Sequence, residues 1–283
     1  MFYFEFISNG LISSWFRAVV QRKENHEFYL HYLDRGCSLL ALFSWAGLAK
    51  LMKDGKNIRA TSLYLIALVT LYLSDSLSGF VGFALGGFAF LLTKYSFFRN
   101  PKTLSSILIV GSICFLSISA TIKPYKLSDD LAFLPISAKH RLFIWSFVAD
   151  NIMKKPILGW GHNSSRDFDV KESDIIQYAN YSLSPLPAHP HNNISQITLE
   201  NGFVGLIIYM ILMCRYLFCW NNLFDRSSKQ NTNIKSAGYA CFCTFFVISM
   251  ISFNMWQSWW MCSYLWVATL LGCIATKNTT RLT

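Results

Sequence analysis

Seven apolar runs, at 37–52, 60–74, 77–93, 104–122, 203–219, 236–254 and 259–275, limit what this chain can fold into. Charged residues make up only 14% of the sequence, against roughly 25% in a soluble domain, and the mean hydropathy is +0.34. Runs of this kind in lipid must pair every backbone N–H and C=O internally, which a helix does. The sequence therefore reads as all-α: a polytopic integral membrane helix bundle, a single membrane domain over 1–283 with about seven spans. Several runs fall short of the ~20 residues that cross a bilayer core. These are expected to tilt or to extend into their flanks, above all the second and third, which the tight turn Ser74-Asp75-Ser76 joins.

Basic residues set the orientation. Lys50, Lys53, Lys56 and Arg59 follow the first run, Lys94, Arg99 and Lys102 the third, Arg226, Lys229 and Lys235 the fifth, and Lys277 and Arg281 the last. With seven spans all four clusters fall on one side, which the positive-inside rule makes cytoplasmic. The turn at 74–78, the segment 123–202 and the turn at 256–260 then face outward. So does the N-terminal stretch with Arg17, Arg22, Lys23 and Arg35, which lacks the layout of a signal peptide. Either earlier spans are missing from the start, or residues 1–16 dip into the interface. This topology accounts for most of the net charge of +10. Basic residues interleaved with aromatics, as single-stranded nucleic acid requires, do not occur. The eight cysteines lie in or beside the apolar runs and read as small buried apolar residues rather than a disulfide framework.

The hydrophilic block 123–202 is the part long enough to carry a site, and it reads as one large outward-facing loop with short interfacial helices. Residues 137–155 suit a helix capped by Ser137. Leu142, Trp145, Val148, Ala149 and Ile152 form its apolar stripe, and Pro156 stops it. It is too polar to span and is expected to lie flat at the outer interface. Arg141 near its start, opposed by the helix dipole, is either solvated or held by an anion such as phosphate. In Gly159-Trp160-Gly161-His162-Asn163-Ser164-Ser165-Arg166, hydroxyls, backbone N–H groups and an arginine fork suit phosphate oxygens, although Gly-x-Gly is also an ordinary turn. In His189-Pro190-His191 the proline extends residue 189. Asn192 or Asn193 can cap a short helix to Glu200, with Gln196 and Glu200 on one face and Gly202 just past its end. His191 at that helix N-terminus is held neutral, as a general base requires. A His-x-His pair could also take a metal with Asp167, Asp169 or His162, but the carboxylates follow no metal spacing. Asp75 could orient a cation or cap the third span. Arg35, at the outer end of the first, could meet a lipid phosphate or snorkel. Trp256, Trp259 and Trp260 suit an aromatic belt.

The ordered set Arg141-x-x-x-Trp145, Pro156-x-x-Gly159-x-Gly161, Ser165-Arg166 and His189-Pro190-His191-Asn192-x-x-x-Gln196-x-x-x-Glu200-x-Gly202-x-x-Gly205 resembles the O-antigen ligase/polymerase superfamily. The resemblance covers roughly residues 35–275. Ser74-Asp75-Ser76 before a glycine-rich run, and Trp256-Gln257-Ser258-Trp259-Trp260 before the last, resemble the ligase branch. The resemblance implies a bacterial inner-membrane glycosyltransferase with its active site facing the periplasm. Such enzymes move a glycan from undecaprenyl pyrophosphate to lipid A core, with no metal, cofactor or nucleotide sugar. It implies His191 as the catalytic histidine, oriented by Glu200 or Asn192. Arg35, Arg141 and Arg166 correspond to pyrophosphate-binding arginines, and Asp75, His189 and Gln196 complete the substrate-binding set. Against the family the chain is short by several N-terminal spans. Membrane lipids, the lipid-linked donor and the acceptor are the implied partners, and nucleic acid is not among them. Rivals are a polymerase or protein O-oligosaccharyltransferase of the same superfamily, and a non-catalytic transporter. A transporter would place charged or broken helices at mid-membrane, and these runs carry almost no mid-span charge. An intramembrane metal hydrolase would need ligands within the spans, and none of the six histidines lies there.

Overall fold

The structure, a computed structural model, describes residues 2–8, 10–20, 33–122, 134–178, 181–223 and 229–276. Of the basic residues named above, Arg22, Lys23, Arg226, Lys277 and Arg281 lie outside these, as do residues 123–133. The fold is an all-α membrane bundle. Helices occupy all seven apolar segments: α3 (Asp34–Lys53), α4 (Asn57–Leu73), α5 (Leu77–Leu92), α7 (Pro101–Thr121), α9 (Asn193–Asn222), α10 (Lys229–Ile251) and α11 (Ser258–Thr276). Short helices α1 (Phe2–Ile7) and α2 (Leu11–Trp15) precede them, and α6 (Ser96–Arg99) and α8 (Ile136–Ile152) lie between. Among the described residues four helices are long and apolar enough to cross a membrane: Pro101–Thr121, Asn193–Asn222, Thr232–Ile251 and Ser258–Ala275. The apolar helices α4 and α5 are shorter.

The chain divides into two compact units. The first comprises residues up to 96, 222–248 and 262 onward. Here α3 packs on α4 and α5, and Trp45, Tyr64 and Phe83 form an aromatic cluster. Trp45 donates its indole N–H to the Thr244 hydroxyl, 2.8 Å away. A Cβ at Gly86 would stand 2.2 Å from Thr244 Oγ1 and 2.9 Å from the Ala240 carbonyl oxygen, so a small residue is what lets α5 meet α10 at backbone distance. Of the eight free cysteines only Cys37 and Cys241 are buried. Cys114, Cys219, Cys262 and Cys273 are exposed on their helices, which corrects the expectation of burial for these four.

The second unit comprises 97–221 and 249–261. Asn100 caps α7 by accepting from the Lys102 N–H at 3.0 Å, with Pro101 in the first turn. Pro135, rather than Ser137, occupies the N-cap position of α8, and the helix stops at Ile152 before a run of turns. Its apolar stripe faces protein instead of an interface: Ile144, Val148 and Ile152 pack with Leu186 and Leu199. A two-stranded antiparallel hairpin, β1 (Ile176–Tyr178) and β2 (Tyr181–Leu183), pairs Gln177 with Ser182. No apolar alternation marks so short a ribbon.

Helix α9 is two helices joined at a kink. Gly202, at φ +64° and ψ −168°, breaks it in a backbone region open essentially to glycine alone. The helix expected to end near Gly202 does so, but ψ is extended rather than left-handed, because the chain re-enters helix at once. The turn 156–161 fits into the gap. Trp160 and Gly161 donate their N–H groups to the Leu199 and Glu200 carbonyls at 2.9 and 2.8 Å. The Pro156 and Ile157 carbonyls accept from the N–H groups of Phe203 and Val204 at 2.7 and 3.3 Å. The ends of both half-helices are thereby satisfied by backbone. A Cβ on Gly159 would lie 2.5 Å from the Glu200 carbonyl, and one on Gly202 2.1 Å from the Ile157 oxygen.

Candidate functional site

His189-Pro190-His191 leads into the first half of α9. Asn192 is the cap: its Oδ1 accepts from the Ser195 N–H at 2.8 Å, while its Nδ2 donates to the Met250 carbonyl at 3.0 Å. His191 stands just before the cap with φ +52°, an uncommon left-handed backbone for a residue with a side chain. Its N–H donates to His189 Nδ1 at 3.1 Å, and the two rings meet edge to face, 4.1 Å between centroids. Nδ1 of His191 lies 2.9 Å from the Ser252 carbonyl oxygen. A carbonyl only accepts, so Nδ1 carries the proton, and in the neutral ring Nε2 holds the free lone pair.

Burial, more than the helix end, keeps both rings neutral. It pushes the His191 pKa below the usual 6.5. The Ser252 carbonyl opposes this, and the charges of Arg141 and His140 reinforce it. For His189 burial, followed by the His191 charge, lowers the pKa to about 4. Helix α8 fronts this loop: Trp145 donates its indole N–H to the Pro190 carbonyl at 3.1 Å, and Arg141 precedes it by one turn. His140 Nε2 meets the Ser184 carbonyl at 2.7 Å.

Glu200 sits fully buried in a cage of donors. One oxygen accepts from the Ser165 hydroxyl and from Gln196 Nε2 at 3.0 Å. The other accepts from the Asn163 N–H at 2.9 Å and from the Trp256 indole N–H at 2.5 Å. Gln196, also fully buried, donates in addition to Asn254 Oδ1 at 3.0 Å and accepts from the Met255 N–H at 3.0 Å.

These contacts correct three expectations. Glu200 and Asn192 do not orient His191, since each is occupied elsewhere, and the Ser252 carbonyl holds the ring instead. Gln196 does not face a substrate, because the face it shares with Glu200 points into protein. Trp260 does not join a belt, since it is fully buried and donates to the Ser249 hydroxyl at 2.8 Å, whereas Trp256, tied to Glu200, is exposed.

Glu200 nevertheless joins the two parts of the site. Through Asn163 and Ser165 it fixes the 3-10 turn Ser164–Asp167 that presents the exposed Arg166. Through Gln196 and Trp256 it fixes the 252–257 loop whose carbonyl holds His191. Replacing Glu200 with glutamine would aim an amide N–H₂ at some of these donors. Orphaning two of them costs roughly 1–3 kcal/mol each. Thermal unfolding should show the loss, and an unchanged midpoint would rule out the cage. Ser252 acts through a backbone carbonyl, which leaves no mark in a sequence, and Asn254 acts through a side-chain oxygen that meets Gln196 across 58 residues. The polar Ser252 and Asn254 after the apolar α10 are the only hint.

Arg35 and Asp75 belong to the other unit. Arg35 is exposed in the first turn of α3, and Asp75 is exposed in the α4–α5 turn at φ +53°. A Cβ on Gly79 would lie 3.6 Å from Cys37 Cβ, so both residues occupy the same end of their unit.

Residues 62–210, which contain α8, the 156–166 turns and the His-Pro-His loop, match the family described as O-antigen ligase. A provisionally named polysaccharide ligase of Rickettsia conorii is 42% identical over 274 residues, covering 96% of this chain and 62% of its own. Those of Rickettsia felis and Rickettsia typhi are 42% and 41% identical over 271 residues, covering 63% and 64% of their lengths. The chain thus spans a little under two thirds of these relatives. No solved structure matches it.

Proposed function

The chain belongs to the O-antigen ligase family, and on that footing we propose that it transfers a glycan from undecaprenyl pyrophosphate to a hydroxyl of lipid A core at the periplasmic face of the inner membrane. The acceptor oxygen attacks the anomeric carbon, and the bond from that carbon to the phosphate oxygen breaks. The pyrophosphate leaves with the electron pair, and the acceptor proton passes to Nε2 of His191. Arg141 and Arg166 bind the pyrophosphate and stabilise the charge that gathers on it. His189 positions His191. The observation that carries this reading is the bond from His191 Nδ1 to the Ser252 carbonyl, which leaves a basic Nε2 beside Arg141 in a chain whose family is known.

The test is transfer by purified protein in vesicles, with lipid-linked glycan and EDTA present. Three acceptors are offered separately: lipid A core, free glycan and a serine-rich peptide. Labelling of lipid A core supports the reading. Labelling of glycan alone would make the protein a polymerase, and of peptide alone a protein glycosyltransferase. Activity lost to EDTA and restored by zinc would return the histidines to metal binding. Transport of labelled donor without transfer would sink the enzyme assignment.

The arginines give a separate prediction. Arg166→Ala should raise KM for the donor, and lysine should rescue it only partly, since a point charge cannot replace the fork. Arg141→Gln should do the same and also move the acid limb of the kcat profile to higher pH, because a charge that lowers the His191 pKa is removed. An unmoved limb would dissociate Arg141 from the base.

A further inference from the structure

Residues 153–158 form an exposed turn between α8 and the gap in α9, and neither the histidine site nor the Glu200 cage uses their side chains. Met153, Ile157 and Leu158 are 66%, 68% and 72% exposed, more than most surface apolar residues in this chain. The turn is nevertheless firmly placed. The Pro156 and Ile157 carbonyls accept from the Phe203 and Val204 N–H groups, and the Gly159 N–H donates to the Lys155 carbonyl at 3.1 Å. Ile157 is therefore level with the first turn of the second half of α9. Residues 192–200, before the break, are buried without exception. Beyond it Phe203, Val204, Ile207 and Ile208 are exposed and apolar, as a lipid-facing helix surface must be. The exposed apolar side chains of the turn continue that surface.

Two lysines share the turn. Lys154 Nζ donates to Asn151 Oδ1 at 2.9 Å, and Lys155 Nζ stands over the Trp160 ring, 4.1 Å from its centre. Lys154 is thus held against the end of α8 and Lys155 against Trp160, just beyond the turn. Apolar tips with cations immediately behind them suit the boundary where acyl chains give way to anionic headgroups.

We infer that residues 153–158 are a membrane anchor: Met153, Ile157 and Leu158 enter the acyl region, and Lys154 and Lys155 meet the phosphates of anionic lipid. The anchor sets the depth of the outer block at the bilayer surface. It is independent of the glycosyl-transfer reading, since it requires only a multi-pass membrane protein.

Photocrosslinking tests it. Benzoylphenylalanine is placed at Ile157, Leu158, Glu172, Ser182 or Ile208, and the full chain is reconstituted in phosphatidylethanolamine–phosphatidylglycerol vesicles. These positions are exposed and the probe is apolar, so folding is retained. Lipid adducts at 157 and 158 should match those at Ile208 and exceed those at 172 and 182 by about tenfold, the contrast between an inserted and a solvated site. Phosphatidylglycerol should be enriched among adducts at 158, and Lys154→Gln with Lys155→Gln should return its share to that of the bulk. Adducts at 157 and 158 no more abundant than at 172, with Ile208 labelled, overturn the anchor. Adducts without phosphatidylglycerol enrichment overturn the role of the lysines.

Discussion

Alanine at position 191 is expected to abolish glycan transfer, by about 10²–10⁴-fold, the range for losing a positioned general base. Insertion and donor binding should remain, because the His191 side chain supports neither α9 nor the arginines. His189→Ala should cost less: it removes the acceptor of the His191 N–H but leaves the Ser252 contact. The pH profile gives an independent check. A base works only when unprotonated, so kcat should fall as pH drops through the His191 pKa. Burial places that pKa below 6.5, so activity should persist at pH 6.5 and fade at lower pH. Undiminished transfer by His191→Ala would remove the base assignment. An acid limb above 6.5 would contradict the buried, Arg141-flanked setting.

The second large effect is structural. Gly202→Ala brings a Cβ to 2.1 Å from the Ile157 carbonyl oxygen and forces a side chain on a residue at φ +64°. Neither contact partner is a flexible side-chain end, so the turn 156–161 must withdraw. The backbone cost and the overpacking together come to about 2–4 kcal/mol. The variant should unfold at markedly lower temperature in detergent and lose activity along with Glu200 cage contacts. Gly111→Ala, where an added Cβ meets nothing within 4 Å, is the matched control. Equal stability of the two variants would show that the gap in α9 tolerates a side chain.

The helices were legible because lipid leaves the backbone little choice, and their apolar segments could be marked to within a few residues. The hairpin at 176–183 was not legible, being only three residues per strand. Within the site, residues close in sequence were placed well. The His-Pro-His loop, the Asn192 cap and the break at Gly202 follow from local backbone preferences. Residues that meet across long separations were misjudged. Gln196 and Glu200 were placed correctly on one face, but helical spacing does not say whether that face looks inward. The group that orients His191 lies 61 residues away and is a main-chain oxygen. Trp256 is exposed, as an interfacial residue would be, but its bond to Glu200, 56 residues away, has no mark in the sequence.

The turn lodged in α9 has a consequence for how the protein is made. The Phe203 and Val204 amides have no partner within their own helix, and a bilayer interior offers no water to replace one. Their partners, Pro156 and Ile157, are synthesised 47 residues earlier, within the polar block 123–202. The top of this span is therefore completed only when the block has closed over it. Insertion of α9 and maturation of that polar block are expected to be a single cooperative event during biogenesis. A lesion in the turn should then expose nascent chains to membrane quality control before any effect on chemistry is seen.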